Sequence, residues 1–328
     1  MMNHRLTRWM IAAATGLALT ATGALAEDRS DWPRSMTIGT ASVGGVYFVY
    51  GNGLASFIGE SLGVNTSGEI TGGPAQNVTL VQMKEHDIGL VTMGPMYEAW
   101  TGRSELAPGL EHTNVLALFP MYETPFHGIA LSRSNIRSVA DLQGKRVSVG
   151  PAGGTAGTYW LRFFETLGVT VRPSYTGASD AASQLKDGLI DAFTFAAGVP
   201  IGAFSQLAAE TDVRTFGFTP EELAKILEEF PEVAAYTIPA GTYSGQTEDD
   251  TTVAMWNFAV AHRDMPESLA YEITKLVLDN NDRMLQIHAA AKATLLENWV
   301  NNSFLPFHPG AVRYFEEQGI TIPDDLRG

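Results

Sequence analysis

The chain has 328 residues, with 21 basic and 36 acidic side chains and a formal net charge of −15. That balance argues against nucleic acid or an anionic lipid surface as a partner, and the absence of cysteine rules out a disulfide scaffold. The length, 45% hydrophobic residues and 33 glycines suit one globular unit of two lobes.

In chain order, Arg5 and Arg8 precede an apolar run over 10–19 and then Ala24-Leu25-Ala26, so 1–26 reads as a cleavable secretory signal peptide. Its removal takes the charge from −15 to −17. The apolar run is too short for a membrane span, and no later stretch is long and apolar enough for one. A buried strand is predicted over 36–40, leading into Ala41-Ser42-Val43-Gly44-Gly45-Val46-Tyr47. A helix follows, on which Tyr50, Leu54, Phe57 and Ile58 keep helical spacing. The loop lacks the dinucleotide fingerprint and has no Walker lysine. Thr40 stands where a nucleophile elbow needs its first glycine, so Ser42 reads as a loop hydroxyl.

The next strand is expected over 64–70. Thr71-Gly72-Gly73-Pro74 then marks a helix start, because proline at the first helical position loses no hydrogen bond. Val78 and Val81 continue that helix, and a strand returns over 87–91. Two apolar runs, 114–119 and 126–131, flank Pro120-Met121-Tyr122-Glu123-Thr124-Pro125, read as a passage between lobes.

Val147 and Val149 then enter a second loop with Gly150, Gly153, Gly154 and Gly157. It is followed by a helix on which Trp160, Phe163, Phe164 and Leu167 fall on one face. Neither glycine loop carries a charged side chain or a histidine. An anion there would be held by the unpartnered N–H groups of a helix start and by the hydroxyls of Thr155 and Thr158. A tight βα turn that binds nothing is the competing reading. A helix over 179–187 and a strand over 190–195 complete a second half laid out like the first, with the loops gathered at the strands' carboxyl ends.

The run 252–261 is a second passage, which gives a lobe of 27–122 plus 257–328 and a lobe of 123–256. Leu269, Ile273, Leu276 and Val277 begin a helical tail, and His308-Pro309-Gly310 introduces a last helix through Tyr314 and Phe315. The histidines are scattered without ligand spacing, and Glu248-Asp249-Asp250 lacks the pattern of a calcium loop. No metal, cofactor or catalytic residue is expected.

Several short pieces in order resemble one known family, the TAXI-type solute receptors of TRAP transporters. They are Gly44-Gly45-Val46-Tyr47, Gly72-Gly73 with Asn77, Asp141-Leu142-Gln143-Gly144-Lys145-Arg146-Val147, Asp191-Ala192-Phe193, Gly198-Val199-Pro200, Gly241-Thr242-Tyr243 and His308-Pro309-Gly310-Ala311. The resemblance implies a two-lobed α/β periplasmic binding protein of type II-like fold, each lobe a mostly parallel sheet flanked by helices. It also implies a monomer without catalytic activity that closes on a small carboxylate, such as glutamate or 2-oxoglutarate, and delivers it to a TRAP membrane subunit. Carried over residue by residue, it nominates Gly45, Val46, Tyr47, Gly73, Asn77, Thr155 and Thr158. Gly154, Ala156 and Gly157 of the second loop and Gln76 complete the candidate set. Relatives often carry a glutamate where Gln76 stands. If position 76 faces the cleft, the loss of that charge favours a ligand without an amine, 2-oxoglutarate over glutamate. The rival readings are a secreted hydrolase using Ser42 or Thr155, and an ABC-type or sensory receptor of the same fold.

Overall fold

The computed structural model describes residues 29–328, so the signal expected over 1–26 lies outside the described residues. The first half runs β1 (Ser35–Gly39), α1 (Val46–Leu62), β2 (Asn65–Glu69), α2 (Pro74–Gln82), β3 (Ile88–Thr92) and α3 (Met93–Trp100). The long β4 (Val115–Leu131) leads to β5 (Arg146–Ser148), α4 (Thr155–Thr166), β6 (Arg172–Ser174), α5 (Ala178–Lys186), β7 (Ala192–Ala196), α6 (Gly202–Glu210), β8 (Val213–Phe216), α7 (Pro220–Glu229) and β9 (Ala234–Ile238). A second long strand, β10 (Asp250–His262), returns to α8 (Glu267–Leu278), α9 (Asn281–Ile287) and α10 (Pro309–Glu317). No helix among the described residues is long and apolar enough to cross a membrane.

The molecule is two-lobed. In the first half β1 pairs in parallel with β2 and β3, and in the second β5 pairs in parallel with β6 and β7. Parallel strands need crossover helices, which cover the sheet faces and make every residue of β3 buried. β10 closes the first sheet antiparallel to β3, and β4 closes the second antiparallel to β7. The two long strands also pair with each other, so ten strands form one continuous sheet.

The segment 120–125, expected as a passage between two runs, is the middle of the single 17-residue strand β4. Proline normally interrupts a ladder because it has no N–H. Here Pro120 and Pro125 lie opposite Phe258 and Ala254, and the register shifts between Trp256 and Phe258 absorb the mismatch. The bulge leaves Asn257 without a β4 partner, though it stays opposite Thr92 of β3.

The second-half core gathers around α4. Trp160 and Phe163 are wholly buried, their rings 5.0 to 6.2 Å from Phe126, Phe218 and Phe230. Each such side chain contributes about 1.5–3 kcal/mol by leaving water. This anchors α4 along its length and fixes where its first turn points.

Candidate functional site

Four helices begin at the carboxyl ends of parallel strands with glycine as their N-cap, α1 after Gly45, α2 after Gly73, α4 after Gly154 and α5 after Gly177, and the first three of them reach one site. None of the three has a side chain capping its first turn. A serine, threonine or aspartate there would occupy the orphan N–H groups. Glycine leaves them open in α1 and α4 and lets another group come close, whereas in α2 Pro74 has no N–H and that of Ala75 goes to the Gly153 carbonyl. By contrast, α7, which does not reach the site, carries a full capping box from Thr219 and Glu222.

The three starts converge on a cavity of about 430 Å³ of atom-free space, its mouth included. Ala41, Ser42, Gly45, Val46 and Tyr47 line it from the first loop, and Gly72, Gly73 and Pro74 from the second. Pro151, Gly154, Thr155 and Ala156 face them from the other half, with Phe195, Ala196 and Ala197 at the end of β7. Thr92 and Thr124 complete the wall. No lining residue is acidic, basic or histidine.

Beneath this wall lies a buried polar cluster. The Thr155 hydroxyl donates to Thr92 Oγ1 at 2.8 Å, and Thr92 donates to Asn257 Oδ1 at 2.9 Å. Tyr47 donates to the same Oδ1 at 2.6 Å. Asn257 Nδ2 donates to the Tyr122 carbonyl at 2.6 Å and to Thr124 Oγ1 at 2.7 Å. Burial pushes the Tyr47 phenol far above its ordinary value, so it keeps its proton.

The two halves touch around the cavity. Ala75 N–H donates to the Gly153 carbonyl at 3.2 Å, and the Gly73 and Gly154 turns lie so close that a Cβ on Gly73 would stand 2.9 Å from Gly154 Cα. On the other side Ser179 N–H donates to Val43 O at 3.2 Å and Ala203 N–H to Gly44 O at 3.0 Å. Arg162 of α4 pairs with Glu98 of α3. The hydroxyl of Ser42 accepts the Ala178 N–H at 3.2 Å, a contact of the same kind.

Of the residues nominated from the sequence, Gly45, Val46, Tyr47, Gly73, Gly154, Thr155 and Ala156 come together at the cavity, and Gln76, Asn77, Gly157 and Thr158 do not line it. Asn77 is wholly buried, its Nδ2 donating to the carbonyls of Gly39, Thr40 and Leu90, so it ties α2 to the sheet. Gln76 is exposed and its Oε1 accepts the Gly72 N–H at 2.6 Å, so the condition for an effect of its missing charge on ligand choice is not met. Gly157 packs against Pro151, where a Cβ would fall 2.3 Å from the carbonyl oxygen, and the Thr158 hydroxyl turns back to Gly154 O at 3.3 Å. Sequence reasoning missed Thr92, Thr124 and Asn257. The available signal was a polar residue inside or ending an otherwise apolar strand.

The profile of the NMT1-like family matches residues 38–319. Among solved structures, the periplasmic binding protein BugD aligns over 88% of this chain and 98% of its own, at 14% identity and a TM-score of 0.54. A structure described as a periplasmic transporter aligns over 77% of this chain and 82% of its own, at 12% identity and a TM-score of 0.53. At such identities the likeness is one of fold. The chain belongs to the NMT1-like family.

Proposed function

We propose that this member of the NMT1-like family is a non-catalytic solute receptor, exported to the periplasm after loss of 1–26, that closes on a small carboxylate. Its lobes are 27–122 with 257–328 and 123–256, and β4 and β10 form the crossing between them. In keeping with the resemblance to TAXI-type receptors, it hands the ligand to a TRAP membrane subunit. The observation that carries this reading is the convergence of two uncapped, glycine-started helices, α1 and α4, and of the Gly73 turn on one cavity without a charged side chain. Open N–H groups at the positive ends of helix dipoles suit an anion. No basic side chain is there to compete for that role.

Magnitudes favour closure as part of binding. Hydrogen bonds to a charged group contribute about 1.5–3 kcal/mol each, and a micromolar dissociation constant needs about 8 kcal/mol net of the ordering costs. One glycine loop cannot supply that, whereas loops from both lobes together can. The hydrolase reading has less support. Ser42 Oγ accepts a backbone N–H, and the Thr155 proton goes to Thr92, not to a general base.

Calorimetry with a panel of small carboxylates tests the reading. Binding is expected in the unmodified protein and a loss of at least about a hundredfold in Gly45→Val and Gly154→Val, with the far-UV spectrum unchanged. A Cβ at these positions would lie 3.3 Å from Ser42 O and 3.1 Å from Pro151 O, tight contacts that push the rest of a valine toward the ligand. Normal binding by both variants would show that the loops are turns only, and turnover of a bound carboxylate would make the protein an enzyme. Uptake into proteoliposomes holding the TRAP subunit should depend on adding the protein. Independence from it would remove that partner.

A further inference from the structure

We propose that Asn257 fixes the hydroxyls of the cavity wall mainly as hydrogen-bond acceptors, and that the receptor therefore selects a carboxylate bearing a hydroxyl over its oxo and amino counterparts. The inference rests on the carboxylate-receptor reading above and adds a ligand class to it.

The argument begins with an amide whose orientation chemistry settles. The Tyr122 carbonyl can only accept, so the Asn257 atom 2.6 Å from it is the nitrogen, and the other terminal atom is the oxygen. That oxygen has two lone pairs. The closest hydroxyls, Tyr47 at 2.6 Å and Thr92 at 2.9 Å, fill both, and each hydroxyl has only one proton to give. Thr155 gives its proton to Thr92 at 2.8 Å. Three of the four wall hydroxyls have thus turned their protons away from the cavity and keep lone pairs for it. Thr124 accepts from Asn257 Nδ2 at 2.7 Å and its own hydroxyl donates toward the same Oδ1 at 3.0 Å, sharing an acceptor already taken, so its proton too is turned into the cluster.

The wall hydroxyls accordingly offer a ligand acceptors and no free donor. A ligand hydroxyl matches them, because it can donate to Tyr47 or Thr155. An oxo group has no proton for the acceptors, which leaves buried lone pairs facing another oxygen. An ammonium can donate, but no lining residue is acidic, so its charge is buried without a counter-anion. Asn257 does not line the cavity. It is a positioning residue, acting through Tyr47 and Thr92.

The test is calorimetry on matched sets in which only one substituent changes: lactate, pyruvate and alanine; malate, oxaloacetate and aspartate; 2-hydroxyglutarate, 2-oxoglutarate and glutamate. In any set that binds, the hydroxy acid is expected to bind at least about tenfold tighter than its oxo and amino partners. An oxo or amino partner binding equally or better would overturn the proposal and leave the receptor reading intact, whereas silence from every carboxylate would overturn both. Asn257→Leu removes the acceptor but also the bond to Tyr122, so Thr92→Val is the cleaner variant. It strips Thr155 of its acceptor and frees that proton to face the cavity. The hydroxy-to-oxo affinity ratio should then fall at least threefold, whatever happens to affinity as a whole. An unchanged ratio would reduce the network to a structural one and overturn the proposal.

Discussion

His127 sits wholly buried in β4, its ring 5.0 Å from Phe204 and stacked 5.6 Å from Tyr243. Tyr243 OH accepts the Ile201 N–H at 3.0 Å and shares a hydrogen bond with His127 Nε2 at 2.9 Å. Burial pushes the His127 pKa from 6.5 down to about 3. The unfolded chain therefore takes up a proton, between pH 6.5 and 3, that the folded chain refuses. Stability is full above that window and falls as pH drops through it, by about 1.4 kcal/mol per pH unit for one proton. His308, lowered to about 4, and His288, also lowered by burial, act in the same sense. Urea unfolding should show lower stability at pH 4 than at pH 7. His127→Leu should cost about 1 kcal/mol at pH 7 through its lost bond yet show a shallower pH slope. A slope equal to that of the unmodified protein would refute this account.

At the scale of elements, the start of α2 makes the sharpest prediction. Gly73 holds φ +115°, a conformation that strains any L side chain, and its missing Cβ leaves room for the Gly154 backbone. Gly73→Ala should weaken ligand binding at least tenfold and abolish the ligand-induced contraction that small-angle scattering should record for the unmodified protein. Gly72→Ala, whose Cβ would meet only the end of the exposed Gln76 side chain, Oε1 at 3.0 Å, should contract normally. Equal contraction in both variants would separate the glycine contact from closure. The same contrast explains what is legible in a sequence. A strand running into glycines and then a 3.6-residue apolar period is a local signal, so the starts of α1, α2 and α4 can be read from neighbouring residues. Gln76 and Asn77 lie beside Gly73 in sequence, yet on α2 one faces solvent and the other the sheet. Adjacency along a helix is not adjacency in space. Thr92 and Asn257 could not be read because their roles come from pairing 165 positions apart. The continuity of β4 was hidden by two prolines, which the strand carries on either side of its own bulge opposite Asn257.

For the whole molecule, the contacts around the cavity are short, mostly backbone, and split between two rims: Ala75 with Gly153 on one, and Val43 and Gly44 with Ser179 and Ala203 on the other. Side-chain charge is added by Arg162, which pairs with Glu98 and, at 3.9 Å, with Glu105. β4 and β10 pair with each other and join both sets of parallel strands in one ten-stranded sheet, so a single cooperative unfolding transition is expected. A cavity with no charged lining, set in a chain of net charge −15, also has a consequence for arrival rates. A ligand anion meets long-range repulsion and no basic residue at the mouth to draw it in. Raising salt shortens the Debye length from about 30 Å at 0.01 M to about 8 Å at 0.15 M. Stopped-flow association with a carboxylate should therefore speed up as salt is added, while dissociation from the closed cavity hardly changes. This is the reverse of the usual behaviour of an anion receptor built on lysine or arginine. Slower association in salt would mean that a cationic path to the cleft guides the ligand after all.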